Sequence, residues 1–297
     1  MRMLLHTMAT PDMSPTQALD FAQELELDGL DLICQADYRC AIAPDAPIEV
    51  ARQLRQEADA RGLVIGAMTP YEKRSNSPSA TERNLALDAF CHAIDLGAAL
   101  GARSVRVFAG AGVEDRDWER GVDAVVSVMR EAASHAADHG IGLNLENHDG
   151  TMADSAARTY EIWKRINAKN VGIVYDPANL IRDAKEAFPE SLNVQLEAIR
   201  LVHVKDYSFV PGTARSALNE AGRRSVPVGD GEVPWAGILP ALKAHGYDGD
   251  LTLEYEMRWV PDQLPPTRIG VARSRDFLKA ILARLPDALS PEKLQLR

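Results

Sequence analysis

The sequence predicts an α/β protein folded as a single (β/α)8 barrel over residues 1–297, and three observations carry that prediction. Short runs with strand character recur between longer segments of 3.6-residue apolar spacing, and eight of each can be counted. Strict alternation of the two implies a parallel sheet, and eight repeats imply closure. No G-x-G-x-x-G follows the first strand, where an open dinucleotide-binding sheet would carry it.

The expected strands are Arg2 to Leu5, Gly29 to Ile33, Val64 to Met68, Ser104 to Phe108, Ile141 to Glu146, Val171 to Asp176, Leu201 to Lys205 and Leu251 to Glu254. Helical spacing follows most of them, as in Asn84 to Leu100 and Arg120 to Ala137. Ser14-Pro15 reads as an N-cap with a first-turn proline, and Pro234 starts a later helix in the same way. Arg61-Gly62, His139-Gly140 and His245-Gly246 read as helix ends before strands. The long segment Tyr207 to Val228, with Pro211, Gly212, Gly222 and Arg223-Arg224, is expected as a loop over the C-terminal mouth, a lid or an interface element.

Composition narrows the function classes. Nearly half the residues are apolar and 26% are charged, which suits a globular protein with a large core. With 33 basic and 43 acidic residues the formal charge is −10, unfavourable for nucleic acid or anionic lipid. No run approaches the roughly 18 apolar residues of a membrane span, and the N-terminal apolar stretch is too short for a signal peptide. Cys34, Cys40 and Cys91 form no C-x-x-C pair and read as buried free thiols, so a cytoplasmic location is expected.

Side-chain alternation then sorts the later strands. Ile141, Leu143 and Leu145 form an apolar face for the helices, which turns Asn144 and Glu146 inward. The same logic turns Thr252 and Glu254 inward, places Asp176 with Gly172 and Val174, and sets His203 and Lys205 opposite a valine face. Four successive strands thus end on an inward ionisable group, where barrel enzymes keep their sites. Three carboxylates and an imidazole converging there repel one another without a cation. An oxygen-rich set with one nitrogen suits one divalent ion, Mn²⁺ first, with Mg²⁺, Co²⁺ or Zn²⁺ as further options.

The segments Leu143-Asn144-Leu145-Glu146-Asn147-His148, Val174 to Asn179, Val202-His203-Val204-Lys205-Asp206, Val228 to Trp235 and Gly246 to Glu256 carry a family resemblance. In this order they resemble the xylose-isomerase-like superfamily of TIM barrels, the sugar phosphate isomerase/epimerase family. The resemblance spans nearly the whole chain and implies a metal held by Glu146, Asp176, His203 and Glu254, with both glutamates flanking a carbohydrate substrate. Family habit also implies a homo-oligomer, dimer or tetramer. Many relatives carry His three residues after the strand-six Asp where this chain has Asn179, so the tagatose-epimerase substrate contacts do not carry over directly.

Such a site can remove a proton beside a carbonyl and stabilise the resulting enediolate through the metal. Glu146 and Glu254 are the expected acid/base pair of a keto-sugar or inosose-like isomerase or epimerase. A metal-dependent dehydratase or a C-glycoside deglycosidase subunit begins with the same step. An endonuclease IV-like repair enzyme and a non-catalytic sugar-binding barrel are the remaining readings, the former disfavoured by acidic charge and missing extra histidines. The missing phosphate cradle after strands seven and eight points to an unphosphorylated substrate, although Gly229-Asp230-Gly231 leaves that open.

Secondary candidates for substrate binding are His6 at the end of strand one, His148, Asn179, Lys205 and Arg258. His148 is placed to orient a ligand, Lys205 to bind an anion or polarise a carbonyl, and Arg258 to anchor a carboxylate or phosphate. His135 and His139 have the i, i+4 spacing of helical metal ligands, but the helix leads to the bottom of strand five, and capping of its C-terminus by His139 is the better account. Trp118, Trp163, Trp235 and Trp259 read as packing, the last two nearest the mouth.

Overall fold

Eight parallel strands close into a barrel: β1 Arg2–His6, β2 Gly29–Cys34, β3 Val64–Pro70, β4 Ser104–Val107, β5 Gly142–Glu146, β6 Val171–Tyr175, β7 Ile199–Val204 and β10 Asp250–Leu253. Neighbours around the barrel run β1-β10-β7-β6-β5-β4-β3-β2. Each strand lies within two residues of its expected bounds. Two further short strands, β8 Asp206–Phe209 and β9 Arg223–Val226, stand outside the barrel. The computed structural model describes residues 1–181, 186–209 and 223–285.

Helices alternate with the strands: α1 Pro15–Glu24, α2 Ile48–Ala60, α3 Ala80–Leu100, α4 Trp118–Asp138, α5 Ala156–Ile166, α8 Trp235–Ala244 and α9 Thr267–Leu282. After β6 the helical part is split between a single turn, α6 Pro177–Asn179, and α7 Glu190–Gln195. Local chemistry sets the boundaries. Ser14 closes a capping box on α1: its hydroxyl accepts from Gln17 N, and the Gln17 side chain accepts from Ser14 N at 2.9 Å. Gly62, Gly140 and Gly246 stop their helices at φ of 70°, 68° and 83°, the left-handed region that other residues resist. Pro234 stands one position earlier than expected, at the N-cap of α8.

The outward strand residues Leu5, Leu30, Val105, Leu143, Val202 and Leu251 join helix residues such as Leu19, Phe90, Met129 and Ile238 in one core. A separate small cluster, Ala67, Val174 and Leu201, joins β3 to β6 and β7 across the barrel and therefore lies inside it. The alternation that sorts these faces also determines which groups reach the mouth.

The expected loop over the mouth is partly a hairpin. β8 pairs antiparallel with β9, with Asp206 opposite Val226. Nothing in the apolar periodicity announces such a short pair, which is read only from the backbone pairing. Pro211, Gly212 and Gly222 lie outside the described residues. Cys34, Cys40 and Cys91 are free, the first two buried. Among the described residues no helix is long and apolar enough to cross a membrane.

Candidate active site

Glu146 closes β5, Asp176 follows β6, His203 lies on β7 and Glu254 follows β10. All four are buried, and each offers a ligand atom within 4.8 Å of the others. Asp176 is also the N-cap of α6: its Oδ1 accepts from Asn179 N at 2.9 Å, which fixes the carboxylate. Nδ1 of His203 lies 3.0 Å from Glu146 Oε1 and 3.1 Å from Glu254 Oε1. Its Nε2 faces Oδ2 of Asp31 at 3.4 Å.

Charge in this cluster is unbalanced. Four buried carboxylates, Asp31, Glu146, Asp176 and Glu254, face two permanent cations, Arg106 and Lys205. Burial opposes ionisation of Glu146, but Arg106 and His203 outweigh it and hold its pKa below the usual range. Burial opposes ionisation of Glu254 too, but Lys205 and His203 hold it well below the usual range. Burial and the two neighbouring glutamates push Asp176 up despite Lys205. Burial would lower His203, yet Glu254 and Glu146 raise it well above its ordinary value. A proton on His203 takes up one of the two uncompensated negative charges at neutral pH, and one on Asp176 takes up the other as pH falls through about 6; together they match the charge of one divalent ion. Three carboxylates and an imidazole form a donor set for such an ion, and Asp176 Oδ2 accepts no hydrogen bond even though Lys205 Nζ lies 2.8 Å away. The residues fit a divalent cation.

The secondary candidates divide. His6 is buried beside the cluster, its Nε2 3.9 Å from Glu254 Oε1, while its Nδ1 accepts from Met8 N. Asn179 lies at the mouth and donates Nδ2 to Asn147 O at 2.9 Å. His148 lines the cavity against Phe108, but its Nδ1 engages Asp149 O at 2.7 Å, so no contact places it behind a ligand. Lys205 is held between Glu254 Oε2 at 2.6 Å and Asp176 Oδ2 at 2.8 Å. Arg258 stacks on Tyr38 at 3.4 Å from the ring centre and does not line the cavity. Trp235 is fully buried, whereas Trp259 is half-exposed on the cavity wall.

Two members of the cluster escaped the sequence reading, although alternation pointed to both. In β4 the apolar residues Val105 and Val107 turn Arg106 inward. Its guanidinium lies over Phe108 at 3.9 Å and Tyr71 at 4.6 Å, with Nε 3.2 Å from Glu146 Oε2. In β2 Leu30 and Leu32 turn Asp31 inward, where it accepts from Thr69 at 2.8 Å and Thr252 at 3.1 Å.

Above the cluster opens a cavity of about 490 Å³ lined by Tyr71, Phe108, Asn179, Glu256, Trp259 and the two glutamates, among others. That volume suits a small polar metabolite. The loop Gly229-Asp230-Gly231 does not offer its amides to it. Asp206 Oδ2 accepts from Gly229 N at 3.0 Å and Gly231 N at 3.2 Å, and Oδ1 accepts from Val233 N at 3.0 Å.

Solved structures share this architecture. The IOLI protein, solved with a bound zinc atom, superposes with a TM-score of 0.78 over 97% of this chain and 100% of that one at 17% identity. A D-tagatose 3-epimerase-like protein superposes with a TM-score of 0.74 over 95% and 97% at 21% identity. In sequence, the chain is 27% identical over 149 residues to the inosose dehydratase of Geobacillus thermodenitrificans, a match covering 48% of each, so it reaches about half of that enzyme's length. The family profile described as xylose isomerase-like TIM barrel matches residues 19–281, and with eight parallel strands closed around the site, the chain belongs to that family.

Proposed function

We propose that this protein is a divalent-metal-dependent isomerase or epimerase of an unphosphorylated keto-sugar or inosose-like substrate. The observation that carries the reading is the convergence of Glu146, Asp176, His203 and Glu254 within 4.8 Å at the barrel mouth. These four residues would hold the ion, Mn²⁺ by preference for an oxygen-rich set. When bound, it supplies positive charge against which the substrate carbonyl accepts electron density.

The chain's own groups perform the proton transfer. Glu146 and Glu254 are both held ionised at neutral pH, the state needed to accept a proton from carbon beside a carbonyl. One glutamate takes that proton as the C–H electron pair moves toward the carbonyl. The other, having taken a proton from water, delivers it to the opposite face, giving the epimer, or to the neighbouring carbon while the hydroxyl proton passes to the adjacent oxygen, giving the isomer. The first glutamate then releases its proton to water. Lys205 and Arg106 fix the two carboxylates. The aromatic wall of Tyr71, Phe108 and Trp259 covers apolar sugar faces and excludes water. Use of the Gly229 and Gly231 amides by Asp206 supports a substrate without phosphate.

The match to inosose dehydratase favours a second reading, a lyase in which the same abstraction is followed by loss of hydroxide as water. Incubation with ketoses and inososes in heavy water with Mn²⁺ separates the two. Deuterium in an isomeric product supports the first, and loss of water supports the second. Glu146→Gln and Glu254→Gln should each lower turnover about 10²–10⁴-fold while retaining metal. Full activity in both variants would defeat the assignment, and strand cleavage in a DNA assay would replace it with a repair function.

A further inference from the structure

Capping does not account for His139. Its backbone N–H, not its side chain, closes the end of α4 on Ala136 O and Ala137 O. The ring instead meets α3: Nε2 of His139 lies 3.3 Å from Asp95 Oδ1, and Nε2 of His135 lies 2.7 Å from the same oxygen. The two rings are 4.7 Å apart and tilted by 50°, so both ring nitrogens converge on one carboxylate. The three ligand atoms lie within 4.8 Å of one another, and all three side chains are about one-third exposed on a groove beside α2.

We propose that Asp95, His135 and His139 form a second divalent-metal site, of the zinc class, that clamps α3 to α4. Histidines at i and i+4 share one helix face, which is how helices present paired imidazoles to zinc. Tetrahedral coordination with bonds of 2.0–2.1 Å spaces ligand atoms by about 3.3 Å. The His139–Asp95 separation of 3.3 Å already has that value, and the 2.7 Å His135–Asp95 contact needs only a small opening. Two nitrogens and one oxygen favour Zn²⁺, Co²⁺ or Ni²⁺ over Mg²⁺ or Ca²⁺. Both histidines sit at the C-terminal end of α4, whose negative dipole end attracts cations.

Arg52 and Arg55 line the same groove, but each is already paired with a carboxylate, Arg52 with Glu49 and Arg55 with Asp59. The site lies at the end of the barrel where α4 enters β5, opposite the mouth, and is independent of the proposed activity.

The test is Zn²⁺ titration of chelator-treated full-length protein by calorimetry, comparing wild type with His135→Ala/His139→Ala and with Asp95→Ala. The expected result is a loss of about one equivalent of Zn²⁺ per chain in the double variant, whatever the mouth retains, with weakened binding in Asp95→Ala. Equal stoichiometry and affinity in wild type and double variant would overturn the proposal. A measurement on wild type alone guards against misfolded variants: Zn²⁺ should protect His135 and His139 from diethyl pyrocarbonate, mapped by mass spectrometry. Unchanged modification of both would also overturn it.

Discussion

Nδ1 of His203 lies 3.0 Å from Oε1 of Glu146, a buried contact that a proton on the imidazole turns into an ion pair. Such a proton occupies charge that a divalent cation would supply, and a metal-ligating imidazole must be neutral. Binding of Mn²⁺ should therefore release about one proton per ion at neutral pH, rising toward two in mild acid where Asp176 is also protonated. Calorimetry in two buffers of different ionisation enthalpy measures this. Binding without proton release would remove the charge argument.

The same protons set the pH dependence of stability. The folded-state pKa of His203 is raised well above 6.5, so its contribution is complete below 6.5 and is lost as pH rises through the folded value. Asp176 has the same sign, because its folded pKa is raised above 3.8. Metal-free protein should lose stability from mildly acidic to alkaline pH, by about 1.4 kcal/mol for each tenfold difference in proton affinity between the folded and unfolded chain. Urea unfolding across that range should show the decline in wild type and a flatter profile in His203→Gln.

Arg106 acts on Glu146. Its removal leaves a buried carboxylate without its cation, so Arg106→Met should cost about 3–5 kcal/mol at neutral pH, read from the urea midpoint. Glu146 should then titrate higher, moving the acid limb of the kcat/KM profile upward. Arg106→Lys keeps the charge but loses the planar stacking on Phe108 and should fall between. An acid limb unmoved in the Met variant would show that Glu146 does not feel this pair.

Asp206 ties the loop before α8 to the end of β7. A Cβ added at Gly231 would stand 2.1 Å from Asp206 Oδ1, too close to the carboxylate that holds the loop. Gly231→Ala should destabilise by about 1–3 kcal/mol, and Asp206→Ala by at least as much, since the amides of Gly229, Gly231 and Val233 lose a charged acceptor. Thermal unfolding checks both, and unchanged midpoints would argue that the loop is held from elsewhere.

Some of this was legible in the residues and some was not. Eight strands and the four inward groups at β5, β6, β7 and β10 follow from alternation, because an apolar face must meet helices and its complement must then face the barrel. Asp31 and Arg106 carry the same signal but sit singly among apolar neighbours, so nothing in one sequence marks them as partners of Glu146 and His203. His135 and His139 were legible as a pair but not as partners of Asp95, 40 residues before His135.

Periodicity, caps and alternation act over a few residues, and they alone determined the barrel, its strands and the four ligand candidates. Pairing across the barrel required the closed tertiary structure: Lys205 between Asp176 and Glu254, Arg106 on Glu146, Asp206 on the Gly229 loop and Asp95 on two histidines. The reason is physical, since the energy of a buried charge depends on groups within a few ångströms in space, and only folding decides which distant residues those are.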